Sequence, residues 1–367
     1  MKQELALLFM GTPLWGDPIL RESLRRQVRE RGWCLVAEEL LCPLCPETPQ
    51  KLTHKLREGL NTLIITEEES LTLVGRILST FSTRPLTLLE GSLPAPAGAV
   101  ATRGGYLLHS DRMIVGVLRH DPGAPYPQSL PLGSEFSRRV WQLFLPREEE
   151  EALLKHLNLS EEKGIESLRL LPGWLQLSAC GQKSIARAEE ALAPFRSRTL
   201  PASSLPQALI RYLSHEGKTL TFAESCTGGR LAAAVTSESG SSAILEGSYV
   251  SYANRIKEEW LGVRPETLER HGAVSEECVR EMAAGAQSNL GADIAVAVSG
   301  IAGPTGAVPG KPVGTVWFCL RNGTKERTLL RRFSGDRNAV QEQAVLQGLK
   351  MILESEEKIF EFFAKSS

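Results

Sequence analysis

The stretch Ala223-Glu224-Ser225-Cys226-Thr227-Gly228-Gly229-Arg230 decides how this chain is read. An apolar, strand-like run over residues 219–222 precedes it, and a helix-like run over residues 230–235 follows. Ser225 therefore stands at the C-terminal end of a strand and just before a helix. The paired glycines let the backbone turn sharply and approach a ligand. Free N–H groups at a helix start can hold an anion or a developing oxyanion. The plainer alternative is a strand-to-helix turn whose Ser, Thr and Gly only cap the helix.

Three later segments bear on that choice. Residues 247–257, Gly-Ser-Tyr-Val-Ser-Tyr-Ala-Asn-Arg-Ile-Lys, read as a strand, a turn at Asn254 and a short helix ended by Gly262. Residues 294–306 read as a buried strand running into the loop Ser299-Gly300-Ile301-Ala302-Gly303-Pro304-Thr305-Gly306. Lys311-Pro312-Val313-Gly314-Thr315-Val316 opens another strand, and Gly335-Asp336-Arg337 follows it. In this order, with residues 272–276 (GAVSE) between, the motifs closely resemble the C-terminal domain of the CinA (competence/damage-inducible) family, a nicotinamide-nucleotide amidase. The resemblance covers residues 205–353. Several uncommon motifs in one order are more specific than any one of them.

Length and composition frame the rest. The chain has 367 residues, 42% hydrophobic and 23% charged, with net charge −1. That is room for two or three domains and is ordinary for a globular protein. No basic footprint for nucleic acid is present, and no apolar run approaches membrane-spanning length. The first residues read as a strand, not a signal peptide. The seven cysteines are scattered. Cys42-Pro43-Leu44-Cys45 is a CxxC without a second pair, so a structural zinc site is not expected there. An odd thiol count without a secretory signal points to a reducing cytoplasm.

The expected architecture is α/β in three parts. Residues 1–135 alternate strand and helix: strands at 6–9, 33–36 and 62–66, helices at 20–30 and 49–58, with residues 11–17 as a loop and Gly32 as a helix stop. This reads as βαβ units and a parallel sheet. It is similar to the MoCF-like (molybdopterin-binding-like) domain of the family. That family's glycine-rich phosphate loop belongs after Ile65, where this chain has Glu67-Glu68-Glu69. Glycine-rich loops offer N–H groups to phosphate, whereas carboxylates repel it. Residues 94–98 and 116–123 resemble the family's other two loops only faintly. The expectation is a retained fold with a lost site, and no divalent metal. Residues 136–200 are similar to the family's small α+β KH-like middle domain. A strand at 140–145 leads to a helix at 147–157 whose four-glutamate run, residues 148–151, reads as a solvated face. A hairpin turns at Pro172-Gly173, and a helix spans 183–195. After a linker, the amidase domain covers residues 204–367 and opens with a helix at 206–216.

Hydrolysing a carboxamide needs a nucleophile, a base, an oxyanion hole and an acid for the leaving group. His215 and His271 fall outside the matched loops, which disfavours a Ser-His-Asp triad. Lys257 is the available base, provided burial or a neighbouring positive charge keeps it neutral. The resemblance implies the same set: Ser225 as nucleophile, Lys257 as base and Tyr252 assisting. The bland alternatives are an exposed helix lysine and a half-buried strand tyrosine. Thr227, Gly228 and Gly229 are expected to shape the oxyanion hole. Ser299 stands with Gly300 where many family members have Thr-Gly, so a hydrogen bond to substrate or to Ser225 can survive; a simple turn residue is the competing reading. Gly303, Thr305 and Gly306 are expected at the nucleotide phosphate. Arg337 is expected to pair with it, or else is a surface arginine. Cys226 reads as a small packed residue, and Glu224 either orients Lys257 or caps a helix. The implied reaction converts nicotinamide mononucleotide (NMN) to nicotinate mononucleotide and ammonia in NAD recycling. The implied protein is a homodimer with no metal, nucleic-acid or membrane partner. Two competing functions are ADP-ribose hydrolysis by the N-terminal domain and a non-catalytic, competence-associated interaction protein.

Overall fold

The computed structural model describes residues 4–30, 33–110, 113–127, 130, 138–157 and 164–365. Gly32 and the boundary at 135/136 lie outside the described residues. The chain forms two compact units: residues 1–138 with 179–186, and residues 139–178 with 187–367.

In the first unit the elements run β1 (Glu4–Met10), α1 (Thr12–Gly16), α2 (Pro18–Glu30), β2 (Cys34–Leu41), α3 (Thr48–Arg57), β3 (Asn61–Thr66), α4 (Leu71–Ser82), β4 (Leu86–Leu89), β5 (Leu93–Pro96), β6 (Val100–Thr102), β7 (Gly105–His109) and β8 (Ile114–Arg119). Six of the strands form a sheet in the order β2-β1-β3-β8-β7-β6. β1 runs parallel to β2 and β3, and β3 parallel to β8. The other two pairings, β7 with β8 and β6 with β7, are antiparallel. Period-two alternation explains why the central strands are apolar throughout. Leu5, Leu7 and Phe9 join one cluster with Leu20, Leu24 and Val28 of α2. Leu8 and Met10 join the other with Leu52 of α3 and Val74 of α4.

Three expectations change here. Residues 12–16 are a short helix rather than a loop, started by Pro13 in its first turn. The second strand continues to Leu41, because parallel pairing with β1 carries on past Val36. Gly116 lies inside β8, opposite Leu63 and Leu107, so the stretch 116–123 begins as core strand and leaves it only after Arg119.

The chain continues with β9 (Arg138–Leu143), α5 (Arg147–Leu157), β10 (Ile165–Leu171), β11 (Trp174–Cys180), α6 (Gln182–Leu192) and β12 (Thr199–Leu200). Their strands form a four-stranded sheet in the order β10-β11-β9-β12. The glutamate run is not all solvated. Glu150 is 2% exposed, in line with Leu153 and Leu157 on the buried stripe of α5, and Arg169 pairs with it at 2.6 Å.

Next come α7 (Leu205–Glu216), β13 (Leu220–Glu224), α8 (Arg230–Thr236), β14 (Leu245–Val250), α9 (Asn254–Leu261), α10 (Pro265–His271), α11 (Glu276–Leu290), β15 (Ile294–Gly300), β16 (Thr315–Asn322), β17 (Lys325–Arg332), α12 (Arg337–Ser355) and α13 (Ile359–Lys365). The five-stranded sheet is ordered β14-β13-β15-β16-β17. β13 is parallel to both β14 and β15, while β16 and β17 return antiparallel. One face packs Phe222, Val296, Val298 and Phe318 against α7, α8 and α12. The other packs Ala223, Ala297 and Cys319 against Val279, Met282 and Ala283 of α11. Three adjacent parallel strands thus end on one edge of the sheet. In open α/β sheets that edge is where ligands bind.

One glycine sets how closely α11 meets α9. A Cβ on Gly285 would lie 2.0 Å from the carbonyl oxygen of Leu261, the last residue of α9. Gly285→Ala therefore has to push α9 away from α11. Overpacking of this kind costs about 1–3 kcal/mol, so denaturant unfolding of Gly285→Ala is expected to show a loss in that range. An unchanged midpoint would contradict the close approach.

Candidate active site

The site grows from the end of β13. Ser225 continues the ladder by one bond, its N–H donating to the Val298 carbonyl at 2.9 Å. The chain then turns through Gly228 (φ 61°) and Gly229 (φ 93°), left-handed conformations that glycine adopts without strain. The Gly228 N–H donates back to the Ser225 carbonyl at 3.2 Å. Glu224, fully buried, points its carboxylate at the start of α8. It accepts from the N–H groups of Gly229 (3.0 Å), Leu231 (3.0 Å) and Ala232 (2.9 Å). This resolves the alternative for Glu224 in favour of the helix cap. It also corrects the expectation of free N–H groups at the helix start, since an internal carboxylate has taken them. Gly228 and Gly229 contribute the bend rather than the donors. Among the described residues, the backbone N–H groups of Cys226 and Thr227 donate to no other residue. The buried Thr227 hydroxyl has no hydrogen-bond partner among them either.

Lys257 comes from α9 and is 1% exposed, so the exposed-lysine alternative does not hold. Its Nζ lies 3.2 Å from Ser225 Oγ, 2.7 Å from the Ser251 carbonyl oxygen and 3.1 Å from the Tyr252 carbonyl oxygen. Among the described residues no carboxylate pairs with it. Burial holds its ammonium below the ordinary lysine range, and the nearby Cys278 and Cys226 oppose that only in part. Tyr252 lies past the end of β14, not in a strand, and its side chain is 60% exposed. Its hydroxyl accepts from Arg337 Nη2 at 2.9 Å. Arg337 Nη1 donates to the Gly303 carbonyl at 2.8 Å.

The structure therefore links Ser225, Lys257, Tyr252, Arg337 and Gly303 through contacts. Other expected residues stand outside that chain. Ser299 does not bond Ser225; its hydroxyl donates to the Ala273 carbonyl at 2.7 Å. Gly300 serves packing, because a Cβ there would meet Val316 Cγ2 at 2.7 Å. Thr305 and Gly306 are exposed on the loop beyond Gly303. Cys226 is 4% exposed, and burial pushes its thiol up to about 12, which leaves it inert as a nucleophile.

Sequence reasoning missed two contributors. Gln341 of α12 donates from Nε2 to the Cys226 carbonyl at 2.7 Å and so pins the nucleophile turn from 115 residues away. A polar residue within a long helix carries no signal of that contact. Ser251 supplies Lys257 with a backbone carbonyl, a group every residue has.

The family model of the CinA C-terminal domain matches residues 202–355. Over 141 residues the chain is 50% identical to the nicotinamide-nucleotide amidohydrolase PncC of Escherichia coli (strain K12), covering 38% of this chain and 86% of that protein. The chain belongs to the CinA family. It is 43% identical over 158 residues to a CinA-like protein of Thermotoga sp. (strain RQ2), spanning 42% of this chain and 38% of that relative's length. A crystal structure of the competence damage-inducible protein A from Klebsiella pneumoniae is 43% identical and covers 41% of this chain and 93% of that one, with a TM-score of 0.40.

The lowered Lys257 has a consequence for stability. The unfolded chain keeps its proton up to about 10.4, whereas the folded one releases it earlier. Between those two points the unfolded state binds more protons, so stability rises with pH. Lys257→Met removes that dependence. Urea unfolding at pH 7 and pH 10 should therefore show the wild type gaining on Lys257→Met as pH rises. A constant gap would mean that Lys257 is not desolvated.

Proposed function

We propose that the chain is an amidohydrolase that converts NMN to nicotinate mononucleotide and ammonia through an acyl-enzyme on Ser225. The observation that carries this reading is Lys257 Nζ at 3.2 Å from Ser225 Oγ, both nearly closed off from water. The identity to a protein named nicotinamide-nucleotide amidohydrolase supports the amide and the nucleotide.

A neutral amine has two N–H donors and one lone pair. The surroundings of Lys257 fit that form. The carbonyls of Ser251 and Tyr252 take the two donors, which turns the lone pair toward the Ser225 hydroxyl. The Ser225 O–H then donates to Nζ, and Oγ attacks the carboxamide carbon. The oxyanion falls to the N–H groups of Cys226 and Thr227, which have no other residue to serve among the described residues. The new Lys257 ammonium protonates the departing nitrogen, and ammonia leaves. Water, activated by the same amine, releases the acid. Arg337 has five N–H donors, and its contacts to Tyr252 and Gly303 leave others for the substrate phosphate beside Gly303, Thr305 and Gly306. Tyr252, whose hydroxyl is held by Arg337 and whose carbonyl accepts from Lys257, assists at the site. The reading carries with it NAD recycling, a homodimer, a cytoplasmic location and no metal requirement.

Ammonia release from NMN tests the reading. Ser225→Ala should lose about three or more orders of magnitude, the scale of nucleophile deletions in serine hydrolases. Lys257→Arg keeps the charge but cannot deprotonate, so it should be nearly as inactive as Lys257→Ala. The wild-type rate should rise with pH through the lowered ionisation of Lys257. An active arginine variant would place the base elsewhere.

The first unit is proposed to keep a MoCF-like fold without its chemistry. In its sheet the strand order switches sides between β1 and β3, which stay parallel, and such a switch point is where folds of this kind bind ligands. There a Cβ on Gly11 would lie 3.0 Å from Glu67 Oε1, so a carboxylate fills the place of an anion cradle. Full-length Ser225→Ala is expected to release no AMP from ADP-ribose with magnesium or manganese. Metal-dependent hydrolysis by that variant would overturn this part of the proposal.

A further inference from the structure

Cys42-Pro43-Leu44-Cys45 forms a tight turn at the outer end of β2, the edge strand of its sheet. The Cys45 N–H donates to the Cys42 carbonyl at 3.1 Å. Pro43, at the second position of the turn, is preset for this geometry. A β-turn holds its first and fourth Cα atoms within about 7 Å, and disulfides span about 4.4–6.8 Å. The turn is itself fixed to the helix that follows. The Thr48 N–H donates to the Cys45 carbonyl at 3.0 Å, and the Thr48 hydroxyl donates to the Cys42 carbonyl. Leu44 at the tip is 93% exposed, Cys42 is exposed and Cys45 is partly so. Both thiols are free. Among the described residues no group of three or more His, Cys, Asp or Glu is arranged to hold a metal, so the pair lacks the further ligands zinc needs.

The two thiols are unequal. The neighbouring Cys45 side chain, the Leu44 N–H and the charge of Lys51 hold Cys42 below the ordinary thiol range. Cys45 is raised, first by the neighbouring Cys42 side chain. One sulfur is thus set to attack and the other to follow.

We propose that Cys42 and Cys45 are a redox-active dithiol that exchanges with low-molecular-weight disulfides of the glutathione class. Cys42 thiolate attacks one sulfur of the disulfide RS–SR. The Cys42–SR bond forms, the S–S bond breaks, and RS⁻ leaves and takes a proton from water. Cys45 then loses its proton to solvent and attacks Cys42 sulfur, expelling the second RS⁻. The protein gives up two electrons, closes one disulfide, and the small disulfide becomes two thiols.

The test uses the full-length protein in glutathione buffers of graded redox ratio, quenched by alkylation and read by peptide mass spectrometry. The wild type should close Cys42–Cys45 as the buffer becomes more oxidising. Cys45→Ser should instead accumulate glutathione on Cys42. Cys34 is also free and exposed and serves as the internal reference. In the reduced protein near neutral pH, Cys42 should alkylate about threefold or more faster than Cys34, because thiolate fraction outweighs the loss of intrinsic nucleophilicity. Circular dichroism checks that the variants are folded. Glutathione captured equally at Cys34 and Cys42, or a wild type that stops at the mixed disulfide, would overturn the proposal.

Discussion

The buried carboxylate of Glu224 is the tie on which the candidate site depends. Its side chain accepts three backbone N–H groups at the start of α8. Hydrogen bonds to a charged group contribute about 1.5–3 kcal/mol each, so this cap outweighs what a Ser or Thr cap typically offers. Its backbone carbonyl also accepts from the Ser251 N–H at 2.8 Å. One residue therefore holds the turn carrying Ser225 and the segment that leads to Tyr252 and Lys257. Because Glu224 ends β13, a strand paired on both sides, neither loop can shift without breaking sheet bonds.

Rigidity matters because of what the site holds. A lysine with no carboxylate partner is costly to bury, and its charged form is disfavoured there. The fold retains it by offering two backbone carbonyls in place of water. Those acceptors satisfy the N–H groups without adding a countercharge that would keep the amine protonated. A carboxylate beside the amine would instead favour its protonated form and remove the base.

The two mixed sheets, each with a parallel core, put the same device to different ends. In each, strand termini converge on one edge, and turns there carry the polar residues. In the second unit that edge is open enough to leave Tyr252 and the loop at 304–306 at the surface. In the first, Glu67 lies over Gly11, and Glu68 pairs with Arg119 at 2.5 Å, so side chains of the protein occupy the corresponding positions. A shared fold class thus says little about chemistry until the residues at the strand ends are placed.

Much of this was legible in the sequence. The apolar runs at residues 6–9, 62–66 and 294–298 marked buried strands because both faces of a covered sheet need apolar side chains. The motif around Ser225 was readable from its local sequence, whereas the pairing of that serine with Lys257, 32 residues on, rested on the resemblance to the CinA family and on the lack of a histidine in the matched loops. What only the tertiary structure decided is everything that depends on groups far apart in the chain or common to all residues. The carbonyls that hold Lys257, the reach of Gln341 to Cys226, the burial of Glu150 and the commitment of Ser299 to Ala273 leave no mark in residue type or spacing. Periodicity is set by neighbours a few residues away; a hydrogen bond between distant segments is set by how the layers pack.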